Sequence, residues 1–507
     1  MNRVLLLLSF LPFLLLACSP DKTDETALLP VITWDEISAR FRIYTDETLT
    51  LVPVLANTDE TTTYTWKMDG RVVGTESHYS FVSHETGEFF ISLTVTNRHG
   101  STTDEAKITV QQNETADLPI IPQNDSAFCW RFPWTEIHLA QGRSLRVRPY
   151  FLENVPADAE FSWTLDGAAV QGQTLHIPVG DDAVLSPEVP VFVFAAAEQG
   201  RHTLCLTMTA SNLTASQDFT LHVCPPPGTY RRSLTGRALI NKVHAYVPAP
   251  GHQVNGYIIV GEGFPPACTH QQACDTVLAH FQRRWSVSLG AQGGYLVAGF
   301  DHSVRNSGGD WDLCIKGNPY NYQSEPGIIW VSQDDNGDGQ PNDQWFELAG
   351  SEYGRETHTT EYAITYYRPA ARKSAIAWRD CFGQTGYVPY MSYWNPSDTY
   401  WQPWVEGDEH TYYGSRLQDR STYANGISDI PPYDWGYADN LGSDFTDGPA
   451  GKMNYFRLSN ARTWDGQPAE LEYIDFIRIQ TAQTGSTPNL GDISSEIYYI
   501  SDYHCEK

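Results

Sequence analysis

The sequence predicts an all-β chain: two small β-sandwiches followed by a larger C-terminal domain of the β-sandwich or jelly-roll kind. Three observations support this. Short stretches of alternating polarity, such as Ile91-Ser92-Leu93-Thr94-Val95 and Phe219-Thr220-Leu221-His222-Val223, are bounded by Gly, Pro, Asn and Asp. Long helical periodicity is hard to find after residue 17. A segment near the start also recurs about a hundred residues later.

The chain opens with Met-Asn-Arg and an apolar run from Val4 to Ala17. One positive charge and a short apolar run make a secretory signal, too short for a comfortable membrane span. It ends Leu15-Leu16-Ala17-Cys18, which resembles a bacterial lipobox and implies cleavage before Cys18 with lipidation of its thiol. Residues 18–27 are polar, acidic and turn-prone, hence a flexible tether. Ser19-Pro20-Asp21-Lys22-Thr23-Asp24-Glu25 resembles the lysine-plus-acidic export tags of surface lipoproteins in Bacteroidota, although Thr23 interrupts the tag. The expected location is therefore the outer membrane, lipid-anchored and facing outwards. Of the nine cysteines, eight remain after Cys18. An even number in an exported chain is compatible with disulfides. Cys268 and Cys274 are the first pair expected, since their short spacing would clamp one loop. A zinc site would need Cys-x-x-Cys spacing, which is absent.

The repeat defines two modules, 28–114 and 115–226. Tyr64-Thr65-Trp66-Lys67-Met68-Asp69-Gly70 matches Phe161-Ser162-Trp163-Thr164-Leu165-Asp166-Gly167. Leu93-Thr94-Val95-Thr96-Asn97 likewise matches the stretch from Leu206-Thr207-Met208-Thr209. Each Trp should face a sandwich core and each Asp-Gly should turn a hairpin. On these motifs the modules resemble PKD-type immunoglobulin-like domains, which implies spacers that hold a functional domain off the membrane. Cys224-Pro225-Pro226-Pro227-Gly228 is a stiff break, so the C-terminal domain is placed at 227–507.

In that domain, Asp334-Asp335-Asn336-Gly337-Asp338-Gly339-Gln340-Pro341-Asn342-Asp343 sets oxygen-bearing side chains at alternating positions. Such a loop can curl round a hard cation, with Asp334, Asn336, Asp338 and the Gln340 carbonyl as first ligands of Ca2+. The EF-hand pattern then fails, because its twelfth position is Trp345; Asp343 or Glu347 would complete the shell. Strand-like flanks, Ile328 to Ser332 and Trp345 to Leu348, make this a hairpin tip with a structural calcium. The alternative is a solvated Asn/Gly turn that needs no ion.

Aromatic residues crowd between Tyr387 and Tyr413, among them Trp394, Tyr400, Trp401, Trp404, Tyr412 and Tyr413, and Trp435 continues the theme. The stretch has neither period 2 nor period 3.6 and reads as a long loop. Rigid aromatic faces with polar tips suit stacking on sugars or flat macrocycles. The same residues could instead pack the flank of the sandwich. Catalytic signatures are weak. Asp301-His302-Ser303 holds triad residue types, but adjacency in sequence prevents triad geometry. No nucleophile elbow, His-Glu-x-x-His motif or phosphate loop is present, so the expectation is a binding protein rather than an enzyme.

The landmarks Tyr246-Val247-Pro248-Ala249-Pro250-Gly251, Gly299-Phe300-Asp301-His302-Ser303-Val304, Gly317-Asn318, Ser324-Glu325-Pro326-Gly327, Glu347 through Tyr353, Trp435 through Asn440, Ile474 through Gln480 and Gly491 through Glu496 follow in order. Over 240–500 the chain resembles the "cell surface protein" lipoproteins of gut Bacteroidota, and among them those described as cobamide (corrinoid) binders. The resemblance implies capture of a vitamin B12-type corrinoid and help to a TonB-dependent outer-membrane transporter. His358 and His410 are the candidates to replace cobalt's upper ligand. A glycan-binding protein and an adhesion or scaffold protein are the alternatives.

The chain carries 33 basic and 61 acidic side chains, a formal charge of −28. That excess argues against nucleic acid, whose phosphates must be met by Lys and Arg. It is spread over all three modules and serves solubility.

Overall fold

A computed structural model describes residues 28–34, 39–111, 118–122, 127–180, 184–225, 228–254, 264–265, 267–391, 400–424, 426–448 and 451–505. The expected signal peptide, Cys18 and the tether lie outside the described residues, as does Trp394. The fold is all-β, and the chain divides into two compact units, Met1–Asn113 and Glu114–Lys507.

The first unit is a sandwich. Its larger sheet runs Arg40–Tyr44, Gly100–Gln111, Gly87–Asn97, Thr63–Met68, Arg71–Gly74, with a parallel first pair. Leu49–Leu51 pairs with Tyr79–Phe81 in a second, smaller layer. The alternation read from the sequence is what buries Ile91, Leu93 and Val95 while their neighbours face out. Trp66 is fully buried at the centre and donates Nε1–H to Glu76 O at 2.9 Å. Asp69 and Gly70 both take positive φ, +51° and +75°, as a tight two-residue hairpin requires.

The second module repeats this plan. Glu136–Ala140, Leu213–Cys224, Gly200–Ala210, Glu160–Leu165 and Ala168–Val170 form the same sheet order with the same parallel first pair. Trp163 opposes Leu206 as Trp66 opposes Leu93, and Asp166-Gly167 repeats the positive-φ turn.

The C-terminal part is centred on a six-stranded antiparallel sheet ordered Lys242–Val247, Tyr295–Arg305, Tyr473–Thr481, Gly327–Ser332, Trp345–Leu348, Ala461–Arg462. Odd-numbered residues such as Ile329, Val331, Ile477 and Ile479 point to one side. There they join Leu313, Ile315 and Ile500 of a four-stranded sheet in the main core. A second four-stranded sheet contains His358–Tyr367 and Glu409–Leu417, and its core joins Val247 and Tyr295 of the central sheet.

Two expectations change. One helix, His270–Arg283, interrupts the β pattern; Thr269 and Gln272 form a capping box, and Ala273, Cys274, Val277, His280 and Phe281 are buried. The expected Cys268–Cys274 bridge is not formed. Cys268 precedes the cap and donates to Thr269 O, while the helix carries Cys274 into the core beside His270; both thiols are free. Residues Glu114–Lys507, which include the second module and the C-terminal part, form one compact unit.

Candidate functional site

The join is made by arginines. In the strand Ser144–Val147, Leu145 and Val147 face the module's core, which turns Arg146 outward. Arg146 and Arg148 both grip Glu361, with Nε contacts of 2.9 and 2.7 Å. Arg143 pairs with Asp335 and donates to Gln333 Oε1 at 2.7 Å. Arg379 of the C-terminal part answers Glu153 at 2.9 Å. Several of these groups are largely buried, so the pairs hold orientation: removing one partner would strand a charge.

Between the second module and the C-terminal part lies a cleft of about 510 Å³, within the range of ligand pockets. Its floor is the second face of the central sheet. Register places Val297, Arg478, Trp330, Glu347 and Arg462 in one lateral row as successive cross-strand partners. Trp345 is two residues from Glu347 and so lies on the same face. One wall is built by Trp134, Arg146 and Tyr150 of the second module, another by His410 and Tyr413. The rings of Tyr150 and Tyr413 meet edge-on across the join at 5.6 Å.

The polar groups of the cleft differ in how well they are matched. Glu347 accepts from His358 Nε2 at 2.7 Å and Ser415 Oγ at 2.5 Å. The Arg478 guanidinium stacks on Tyr295 at 4.1 Å and donates Nη2–H to Tyr413 O at 2.6 Å, yet its Nε–H has no partner. Burial pulls its pKa below the ordinary arginine value. Trp330 Nε1–H is also buried and unpartnered. The half-buried His410 makes no ring hydrogen bond among the described residues, and burial pushes its pKa down. Its imidazole is therefore neutral near pH 7 with an available lone pair.

The acidic loop closes the Gly327–Ser332/Trp345–Leu348 hairpin, where the sequence placed it. Asp334 accepts from the Asp338 and Gly339 amides at 3.1 and 3.0 Å. Asp338 accepts from Gln340 N, Asn336 Nδ2 and Asn342 Nδ2. Asp343 is different: it is 1% exposed and neither carboxylate oxygen has a partner. Burial, and then repulsion from Asp335, Asp334 and Asp338, pushes its pKa up to about 8. Asp335 Oδ1 is likewise buried and unpartnered. Asp343 and Asp335 thus leave buried carboxylate oxygens without a partner, although Arg143 already supplies a cation to Asp335. The expected ligands Asp334, Asn336, Asp338 and Gln340 close the turn among themselves.

The aromatic residues singled out by density fall into three places. Tyr400 and Trp401 are core residues, 1% and 7% exposed, and border a void of about 10 Å³. Trp404 packs edge-on against Phe264 beside the main core. Tyr412 is buried with its hydroxyl on Pro248 O, and Tyr413 reaches the cleft; both belong to the strand Glu409–Leu417 rather than to a loop. Trp435 lines a separate cavity of about 240 Å³ with Trp311, Asp444 and Arg457. Composition missed Trp330, Trp345 and Trp464, although period-2 alternation in Ile329-Trp330-Val331 and Trp345-Phe346-Glu347 marks the first two as facing away from the core. Asp301, His302 and Ser303 form no triad: His302 lies between Asp301 and Asp502, at 2.7 and 2.9 Å, and Ser303 donates to Asp475.

Residues 30–97 match the family model described as PKD-like domain. The first module is PKD-like. No relative is found among curated proteins. Among solved structures, the chain is similar to the titin domains z1z2 in complex with telethonin, at 18% identity over 39% of this chain and 96% of that one, TM-score 0.14. It is also similar to Clostridium thermocellum CbhA fibronectin(III)-like modules, at 8% identity over 40% of this chain and 100% of that one, TM-score 0.17. TM-scores this low carry no argument beyond the PKD-like match. Among the described residues no helix is long and apolar enough to cross a membrane, which says nothing of a β-barrel.

Proposed function

We propose that this chain is a surface-displayed, non-enzymatic binding protein that takes a flat ring-bearing small molecule into the aromatic cleft. A corrinoid is the first candidate. Anchored through Cys18 in the outer membrane and raised by its PKD-like module, it would pass the corrinoid to a TonB-dependent transporter. The observation that carries this reading is His410. A neutral imidazole that makes no ring hydrogen bond among the described residues and packs edge-on against Tyr412 suits a ligand offering both a flat apolar ring and a metal centre. His358 does not suit that role, because its Nε2 is held by Glu347. Amide side chains at the edge of a corrinoid would meet the donors and acceptors of the cleft rim.

Titration of cyanocobalamin into residues 28–507 tests it. Saturable binding with a visible-spectrum change at the cobalt, lost in His410→Ala, is expected; no heat and no red colour after desalting would refute it. A glycan remains the second reading, favoured by Trp345, whose indole makes no ring contact or hydrogen bond among the described residues and is free to stack on a sugar. Retention on a polysaccharide gel without corrinoid binding would favour it. In either case a structural Ca2+ at the 334–343 loop would steady the hairpin that carries Trp330 and Trp345.

A further inference from the structure

We propose that the cleft floor contains an anion-recognition subsite formed by Arg478 and the Trp330 indole N–H, so that the natural ligand carries a phosphate or carboxylate. This rests on reading the cleft as the binding site. The argument begins with register: Arg478 and Trp330 are direct cross-strand partners on the cleft face of the central sheet, so their side chains lie about 5 Å apart at the backbone. Each keeps an unpartnered buried N–H donor, Arg478 Nε and Trp330 Nε1. Arg478 has no carboxylate within ion-pair distance among the described residues. Its neighbours are the Tyr295 ring and the Tyr413 carbonyl.

Four acids border the cleft, Glu136, Asp343, Glu347 and Glu361, and none of them forms an ion pair with Arg478 among the described residues. Glu361 is held by Arg146 and Arg148, and Glu347 by His358 and Ser415. At the far end of the row, the Arg462 side chain donates, among the described residues, to the Ser459 and Ala461 carbonyls. In a chain of charge −28, Arg478 thus stands on the cleft floor without an ion-pair partner among the described residues. A desolvated guanidinium without a counterion is unfavourable, and the free Nε–H of Arg478 beside the Trp330 Nε1–H offers two donors to the oxygens of phosphate or carboxylate. The same anion could be the phosphodiester in the nucleotide loop of a cobamide or the carboxylate of an acidic sugar.

The experiment has two arms. In the first, residues 28–507 are titrated with inorganic phosphate, glucuronate and neutral glucose, with tryptophan fluorescence and melting midpoint as readouts. Saturable responses to the two anions but not to glucose are expected, weakened by salt and lost in Arg478→Gln. No saturable response to either anion, or an unchanged response in a folded Arg478→Gln chain, overturns the subsite. If Arg478→Gln does not fold, Trp330→Phe keeps the ring and removes one donor; a several-fold loss of the phosphate-induced melting shift is then expected, and an unchanged shift overturns the subsite.

The second arm compares cyanocobalamin with dicyanocobinamide, which lacks the phosphodiester, and galacturonate with neutral galactose oligosaccharides. One anionic member should bind about tenfold tighter than its neutral partner, or about 1.4 kcal/mol, and Arg478→Gln should abolish that preference. If neither pair binds while phosphate does, the ring-ligand reading fails and the subsite stands. If a pair binds without preference and Arg478→Gln changes nothing, the subsite fails and the ring-ligand reading stands.

Discussion

The two N-terminal modules share a plan and differ in what they do with it. In the first, Leu49 and Leu51 face the core, and Thr50 between them faces out to meet Ser80 at 3.3 Å. In the second, Leu145 and Val147 take the same inward places, but the outward residue is Arg146, bound to Glu361 of the C-terminal part. The inward residues make a sandwich in both cases. The outward ones decide whether the sandwich is a bead in its own compact unit or the wall of a binding cleft.

The largest expected effects come from the two homologous tryptophans. Trp66→Ala and Trp163→Ala should each destabilise their own unit by about 3–5 kcal/mol, as for other large core truncations. Only Trp163→Ala should weaken ligand binding, because only the second module lines the cleft. Denaturant unfolding and ligand titration of both variants check this; equal losses of binding would erase the distinction between the modules. Next, Glu361→Ala would leave Arg148, 5% exposed, without its partner. A loss of about 3 kcal/mol is expected in the Glu114–Lys507 unit, measured by urea unfolding. By contrast Thr50→Arg in the first module should stay within about 0.5 kcal/mol.

A pH series sharpens the comparison further. Asp343 and Asp335 are raised to about 8 and about 6, chiefly by burial. Glu325, Asp439 and Glu496 are raised as well, first by burial, and then by the charge of Asp439 for Glu325 and by those of Glu325 and Asp439 for Glu496. All five lie in the second unit. Carboxyls raised in the folded state hold protons that the unfolded chain releases. Their contribution to stability is therefore full below about pH 4 and is lost as pH rises through 6 to 8. In EDTA, the melting midpoint of the second unit should fall between pH 5.5 and 8.5, and Asp343→Asn should flatten part of that slope. A midpoint rising over the same interval would contradict the burial assigned to these groups. The smallest effect is that of chelation at fixed pH: EDTA should lower the melting midpoint of the second unit by a few degrees, and calcium should restore it. An identical curve with and without EDTA would remove the cation from the account.

Much of the fold was legible because period-2 alternation and the Tyr-x-Trp and Asp-Gly repeats are local signals. Ile91-Ser92-Leu93-Thr94-Val95 could hardly be anything but a half-buried strand. The helix was not read from the sequence: the i, i+4, i+7 and i+8 stripe of Ala273, Val277, His280 and Phe281 is diluted by the Gln, His and Asp between them. The site was less legible. Tyr400 and Trp401 drew notice by crowding, yet a long apolar side chain in a crowded stretch is the residue a core needs. Trp330 and Arg478 sit apart in sequence and meet only through cross-strand register, which no local pattern encodes. Asp343 lay within the recognised loop, but its lack of partners depends on the second module covering it.

The most direct test of the central claim, that the cleft between the second module and the C-terminal part binds the ligand, is calorimetric titration of cyanocobalamin into residues 28–507 and their Trp345→Ala and Trp435→Ala variants. The account predicts saturable binding that Trp345→Ala weakens by roughly 1–3 kcal/mol, the scale of a lost aromatic stack, and that Trp435→Ala, in the separate cavity, leaves unchanged. No binding, or binding lost with Trp435 and indifferent to Trp345, would contradict it.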